Sequence, residues 1–243
     1  MSALMLCAMI SCTAPGRDGK TDTTDEKTDA TTGKPQDEEP KAVFSFNFDG
    51  EDEGFTAIFA DYPKGSEEFF ELESGLRDIP VEGVSGKGYY LKGNNHSDDL
   101  FMGFYTKLTG FSAGEGVRLT VSFKLATSVE GGMIGIGGSP GESVIVKCGV
   151  TSVEPQAVED NEGYYRTNID AGSQANAGKD MKIVGNLSKQ DSKAPGEFEF
   201  NSYTVEINAI ANENGELWLI IATDSGFEGI SEYYLDDVTV TVG

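Results

Sequence analysis

Arg118-Leu-Thr-Val-Ser-Phe-Lys-Leu125 alternates without a break, placing Leu119, Val121, Phe123 and Leu125 on one face and Arg118, Thr120, Ser122 and Lys124 on the other. Successive side chains of an extended chain point to opposite sides, so a period of two predicts a strand with one buried face. Val43-Phe-Ser-Phe-Asn-Phe48, Tyr203-Thr-Val-Glu-Ile-Asn208 and Leu235-Asp-Asp-Val-Thr-Val-Thr-Val242 carry the same pattern. Leu217-Trp-Leu-Ile-Ile221 is apolar on both faces, as a strand in the middle of a sheet would be. Clusters of Gly, Asn, Asp, Ser and Pro separate these runs and mark turns. The 31 glycines and the scarcity of a helical period argue against long helices. About ten short strands in one run of roughly 200 residues predict an all-β fold, a two-sheet β-sandwich of jelly-roll type rather than a closed barrel.

The chain has 243 residues, 38% of them hydrophobic and 10% aromatic, enough for one domain with a proper core. Its formal charge of −23 repels phosphate backbones and anionic lipid, which excludes nucleic acid as a partner. Metal cations and neutral ligands such as sugars are compatible with that field, and so is a plain solvated surface. Of three cysteines only Cys148 lies beyond the first apolar stretch, in Ser143-Val-Ile-Val-Lys-Cys-Gly149, so an internal disulfide of the domain is excluded and a buried thiol is expected.

Residues 1–12 contain no charged side chain and are too short to span a bilayer, which takes about 20 apolar residues. They read as the apolar part of an export signal. The ending Met9-Ile-Ser-Cys12 resembles the lipobox of bacterial lipoproteins, which implies lipidation of Cys12 and an extracytoplasmic protein anchored at the cell surface or outer membrane. Such a signal normally opens with Lys or Arg, and none is present before Cys12. Residues 13–40 lack branched aliphatic and aromatic side chains, so they read as a disordered tether of roughly 30 Å end to end. With eight acidic and four basic residues in the tether, −19 of the charge falls on the expected domain, residues 41–243.

Two segments at the ends of that domain stand out. Asn47-Phe-Asp-Gly-Glu-Asp-Glu-Gly-Phe55 follows the opening strand, and Glu232-Tyr-Tyr-Leu-Asp-Asp-Val-Thr-Val240 lies in the closing one. Here the chain resembles the jelly-roll carbohydrate-binding modules of secreted bacterial proteins. The resemblance implies that the two ends pair side by side and that Asp49, Glu51 and Asp237, with Asp236, ligate a structural Ca2+. Calcium takes six to eight hard oxygens, which clustered carboxylates and carbonyls can supply.

The remaining polar segments are loops. Gly93-Asn-Asn-His-Ser-Asp-Asp-Leu-Phe-Met102 holds the one histidine, His96, so a multi-histidine zinc site and a Ser-His-Asp relay placed elsewhere are excluded. Gly135-Ile-Gly-Gly-Ser-Pro-Gly-Glu-Ser143 lacks the lysine and the following helix of a phosphate-binding loop and reads as a turn. Asn168-Ile-Asp-Ala-Gly-Ser-Gln-Ala-Asn-Ala-Gly178 and Thr223-Asp-Ser-Gly-Phe-Glu-Gly229 are rich in amides and carboxylates; with the His96 loop they resemble a family of bacterial lipoproteins whose activity the resemblance does not supply. Sugar binding asks for flat aromatic rings with amides or carboxylates beside them. The candidates are Trp218, Tyr164 and Tyr165 for platforms, and Asn94, Asn95, His96, Asp98, Asp99, Asn168, Asp170, Asn176 and Asp224 for hydroxyl recognition. Trp218 leads because it is out of phase with Leu217 and Leu219. The function expected is a non-catalytic, surface-displayed, monomeric carbohydrate-binding lipoprotein. The alternatives are a polysaccharide hydrolase or lyase, with Glu71 and Glu73 on one strand face as its carboxylate pair, and a structural or adhesive protein-binding surface protein.

Overall fold

The computed structural model describes residues 42–96, 99–190 and 194–243. Cys12, the lipobox and the tether lie outside the described residues, as do Ser97 and Asp98 of the His96 loop. No helix occurs among the described residues. The strands are β1 (Ala42–Phe46), β2 (Thr56–Ala60), β3 (Tyr62–Pro63), β4 (Glu73–Asp78), β5 (Lys87–Asn94), β6 (Leu100–Thr109), β7 (Gly116–Thr127), β8 (Val144–Thr151), β9 (Ala157–Glu159), β10 (Tyr164–Thr167), β11 (Met181–Asn186), β12 (Glu199–Ile210), β13 (Glu216–Ser225) and β14 (Ile230–Val242).

The first sheet runs β12-β7-β14-β5-β4 and the second β11-β8-β13-β6-β2, all neighbours antiparallel. The chain crosses between the two layers again and again, as a jelly-roll sandwich requires. β14 is flanked along one side by β7 and shares its other side between β5, opposite Ile230–Leu235, and β1, opposite Val238–Val242. The two ends of the domain therefore pair side by side. The alternation in Arg118–Leu125 is reproduced, with Leu119, Val121, Phe123 and Leu125 buried in the space between the sheets. Tyr233 reaches across that space: its hydroxyl donates to the Met102 carbonyl of the opposite sheet at 3.0 Å and lies 3.0 Å from the Thr223 hydroxyl.

The second sheet is buried on its outer side as well. Residues 152–180, between β8 and β11, carry β9 and β10, which join β3 in a small third sheet. From this insert Ile169 and Ala171 pack with Ile58, Ala60, Phe101, Ile220 and Ala222 of the second sheet. That cover explains why the Leu217–Ile221 run is apolar on both faces, and β13 is indeed the central strand. Cys148 is fully buried on β8, and burial pushes its thiol pKa up.

Removing the Tyr233 hydroxyl leaves two buried polar groups short of a partner without opening a cavity. Tyr233→Phe is expected to lose about 1–2 kcal/mol of stability in urea melts, with the denaturant slope unchanged.

Candidate functional site

The outer face of the second sheet begins with charge where the inner face has only apolar contacts. Lys147 on β8 and Asp224 on β13 both point outward and are 0% and 1% exposed. The Lys147 ammonium donates to Asp224 Oδ2 at 2.7 Å and to the carbonyls of Ala171 and Asn176 at 2.9 and 3.1 Å, which uses all three of its protons. The Gln174 amide donates to the same Asp224 oxygen at 3.0 Å. An unpaired charge at such depth would cost several kcal/mol, so the pair and the strap formed by 171–176 hold each other in place.

A second layer of acids surrounds this pair. Asp99 Oδ1 and Asp224 Oδ1 are buried and accept no hydrogen bond from protein groups. Burial first, and then the charge of Asp224 and a hydrogen bond with it, raise the Asp99 carboxyl to about 8. Burial and the like charge beside it disfavour ionisation of Asp99, which keeps its proton near neutrality. Asp61 is raised too, by burial, although Arg166 donates to it at 2.7 Å and opposes the rise. Arg166 also donates to Asp160 at 3.2 Å and lies over the Tyr164 ring at 5.0 Å.

Beside the cluster, where the insert meets β2 and β6, the surface opens into a groove of about 430 Å³. Ile58, Phe59, Tyr62 and Tyr105 line it from the sheet side, and Pro155 and Gln156 form the facing wall. Tyr62 is steadied by tilted ring contacts with Phe70 at 5.6 Å and Tyr165 at 5.4 Å. The wall is pinned by Asn168, which donates to the Glu154 carbonyl at 2.9 Å and accepts from the Gln156 amide at 2.8 Å. Tyr62 is as buried as Trp218, at 6% exposure, so the half-buried Tyr105 ring and the exposed Gln156 side chain are the groups the groove offers to a ligand.

The expected ligand residues divide among several places. Asp99, Asp224 and, through its carbonyl, Asn176 meet at Lys147. Tyr164, Tyr165 and Asn168 build the insert, and Asp170 caps its own turn by accepting from the Gly172 amide at 3.1 Å. Asn94 donates to Glu71 at 2.9 Å, and His96 stacks on Phe69 at 4.2 Å. Asn95 is buried and donates to the carbonyls of Ser225 and Phe227, which makes it a loop anchor. Trp218 requires a correction. It is 6% exposed, with the Lys107 ammonium 5.1 Å over its ring, so it offers no open platform. Its position out of phase with Leu217 and Leu219 does put it on the outer face, but that face is covered. Tyr62, Tyr105, Gln156 and Lys147 were missed. For Lys147 a signal existed: a lysine inside the apolar run Val-Ile-Val-Lys-Cys, whose side chain cannot reach water from a doubly covered strand.

Of the expected calcium ligands, Asp49, Asp236 and Asp237 lie near the junction of β1, β5 and β14, whereas Glu51 stands exposed in the bend between β1 and β2. The β14 register shifts between Asp236 and Thr239, and Asp237 sits there at φ +48°, so the simple alternation of faces breaks. Asp237 pairs with Lys124 at 2.6 Å. Asp236 keeps one buried oxygen without a partner, and burial first, with Asp237 and Asp49 adding like charge, raises it to about 6. Asp49 packs on Gly86, whose φ of +123° and lack of space for a side chain make glycine necessary. Among the described residues no three acidic, His or Cys side chains converge as a metal cluster, so Asp236 and Asp49 would need backbone carbonyls to complete a calcium shell.

Because Asp99 holds its proton to about 8 when folded and releases it near 3.8 when unfolded, its contribution is largest below pH 4 and is lost as pH rises towards 8. Asp99→Asn, which stays neutral, is expected to flatten the fall of melting temperature over that window; an unchanged pH profile would discard the proton held on Asp99.

No family model matches the chain, and neither does any curated protein. Solved structures align with it at low similarity. A tailspike protein of bacteriophage CBA120 aligns at 11% identity over 78% of this chain and 19% of that one, TM-score 0.36. The xylanase 10B module pair of Clostridium thermocellum, solved with xylohexaose, aligns at 11% identity over 82% of this chain and 28% of its own, TM-score 0.42. A carbohydrate-binding module described by its specific mannan recognition aligns at 11% identity over 82% and 98% of the two chains, TM-score 0.37. This chain therefore spans well under two thirds of the first two proteins. At this level of likeness nothing of those proteins' ligands or roles carries over to this chain.

Proposed function

We propose that the domain is a carbohydrate-binding module that takes an oligosaccharide in the groove between β2, β6 and the insert. The observation that carries this reading is the half-buried Tyr105 ring and the exposed Gln156 side chain lining one groove of about 430 Å³. An apolar sugar face can stack on such a ring, and the amide can orient hydroxyls. The reading is non-catalytic because the carboxylate pair that a hydrolase would use, Glu71 and Glu73, is engaged. Asn94 and Lys92 hold Glu71 below the usual carboxylate range, and Arg77 and Lys92 do the same for Glu73, so neither is suited to deliver a proton. An enzyme has one observation in its favour, the protonated Asp99 beside Asp224, but neither lines the groove. The Met9-Ile-Ser-Cys12 ending and the polar segment after it support display of the module from a membrane by a lipid on Cys12.

A glycan array screened with the full chain is expected to give hits that fall at least tenfold in Tyr105→Ala, about the 1.4 kcal/mol that one stacking ring supplies. A blank array, or hits indifferent to Tyr105→Ala, would discard the reading.

A structural Ca2+ at Asp236 and Asp49 belongs to the same proposal, supported by the orphaned Asp236 oxygen. Millimolar calcium is expected to raise the melting temperature of the wild type over an EDTA control and not that of Asp236→Asn; equal curves would remove the metal.

A further inference from the structure

Among the ion pairs of the described residues, Lys147 and Asp224 form the one that is buried at both ends. Lys189 is buried too, but its partner Glu130 is 34% exposed. In the β8–β13 ladder Lys147 lies opposite Ala222 and Asp224 opposite Ile145, so the two side chains are diagonal neighbours on the outer face of the sheet. Their surroundings exclude water: Phe101, Met181, Ile220 and Ala222 pack there in one apolar cluster with Ile169 and Ala171 of the insert. A third acid flanks the pair. Asp224 lies opposite Phe101 and Ser225 opposite Leu100, so Asp99, two residues before Phe101, falls on the same face diagonally across from Asp224. Asp99 Oδ1 and Asp224 Oδ1 are both buried with no donor aimed at them.

We propose that Lys147 and Asp224 condense into an intramolecular isopeptide bond, Nζ to Cγ, with Asp99 relaying protons. The first proton passes from the ammonium to Asp224 Oδ2 along the existing 2.7 Å hydrogen bond, because an amine and a carboxylic acid are cheaper to bury than two ions. The amine keeps two N–H groups, and two carbonyls, those of Ala171 and Asn176, already accept from it at 2.9 and 3.1 Å. Its lone pair is thereby left facing the carboxyl. The contact to one carboxyl oxygen holds Nζ within about 4 Å of Cγ, near the reacting distance of about 3–3.5 Å. Asp99, which burial and the Asp224 charge keep protonated, protonates Oδ1 as the C–N bond forms. The Cγ–Oδ1 bond then breaks. The two protons that the ammonium loses depart with Oδ1 as water, Oδ2 becomes the amide oxygen, and Asp99 ends protonated as it began. No oxidant or cofactor is consumed, and two buried charges disappear from the interior. The bond is independent of whether the groove takes a sugar.

Mass spectrometry of the purified full chain under denaturing conditions reads the bond directly. The wild type is expected to fall short of its sequence mass by one water and to yield a branched tryptic peptide joining the segments that hold Lys147 and Asp224. Lys147→Arg, which keeps the charge without the amine, is expected to show the full mass. Asp99→Asn is expected to melt cooperatively, with its cross-linked fraction lower by about tenfold or more at equal age, since the amide cannot relay a proton. A wild type still at full mass after prolonged incubation in the folded state overturns the proposal. So does a missing water that maps elsewhere, as a succinimide at Asp49-Gly50 would. Cross-linking at the wild-type rate in Asp99→Asn overturns the relay. The wild-type peptide map decides the bond even if Lys147→Arg fails to fold.

Discussion

The bond between Lys147 and Asp224 sets the arrangement of one whole side of the molecule. Both charges stand on strands whose inner faces are committed to the main core, so neither can turn towards water. They are tolerable because every ammonium proton is engaged and Asp224 Oδ2 accepts twice, and the strap at 171–176 supplies what the two side chains cannot give each other. A conventional sandwich would leave this face to solvent. Here the pair fastens a second layer over it, and the edge of that layer is the wall of the groove.

How legible was this in the amino-acid sequence? The strands were, because alternation over Arg118–Leu125 and the two-faced run at Leu217–Ile221 are direct prints of burial geometry. The sheet in which each strand lies was partly legible, through the side-by-side ends. The cover was not. An insert with two short strands and long turns has no periodicity that announces which surface it will lie on, so Trp218 read as an open platform when it is a covered one. The same blindness hid Tyr62 and Tyr105, which look like ordinary strand aromatics until the Pro155–Gln156 wall stands opposite them. At Asp236 and Asp237 the difficulty was a bulge: one extra residue reverses the faces from there on, and local alternation gives no warning of it.

The polar residues fared in a similar way. Asn94, Asn95, Asn168 and Asp170 were expected to greet a ligand and are largely spent on holding loops, Asn95 through two buried carbonyls and Asn168 by stapling the groove wall. Loop amides are good at both tasks, and only the neighbouring backbone decides between them. Asp99 and Asp224, expected singly as ligand groups, lie side by side beneath the strap, where burial and the Asp224 charge keep Asp99 protonated.

The pairing of Ala42 with Val242 joins residues 200 positions apart. During synthesis β1 emerges early and waits, since β14 is both its partner and the strand between β7 and β5. The first sheet cannot close until residues 230–242 have left the ribosome, and loops of that length close slowly. The second sheet, complete with β13, can form earlier, so its inner apolar face waits without an opposing layer until the last strand of the chain arrives.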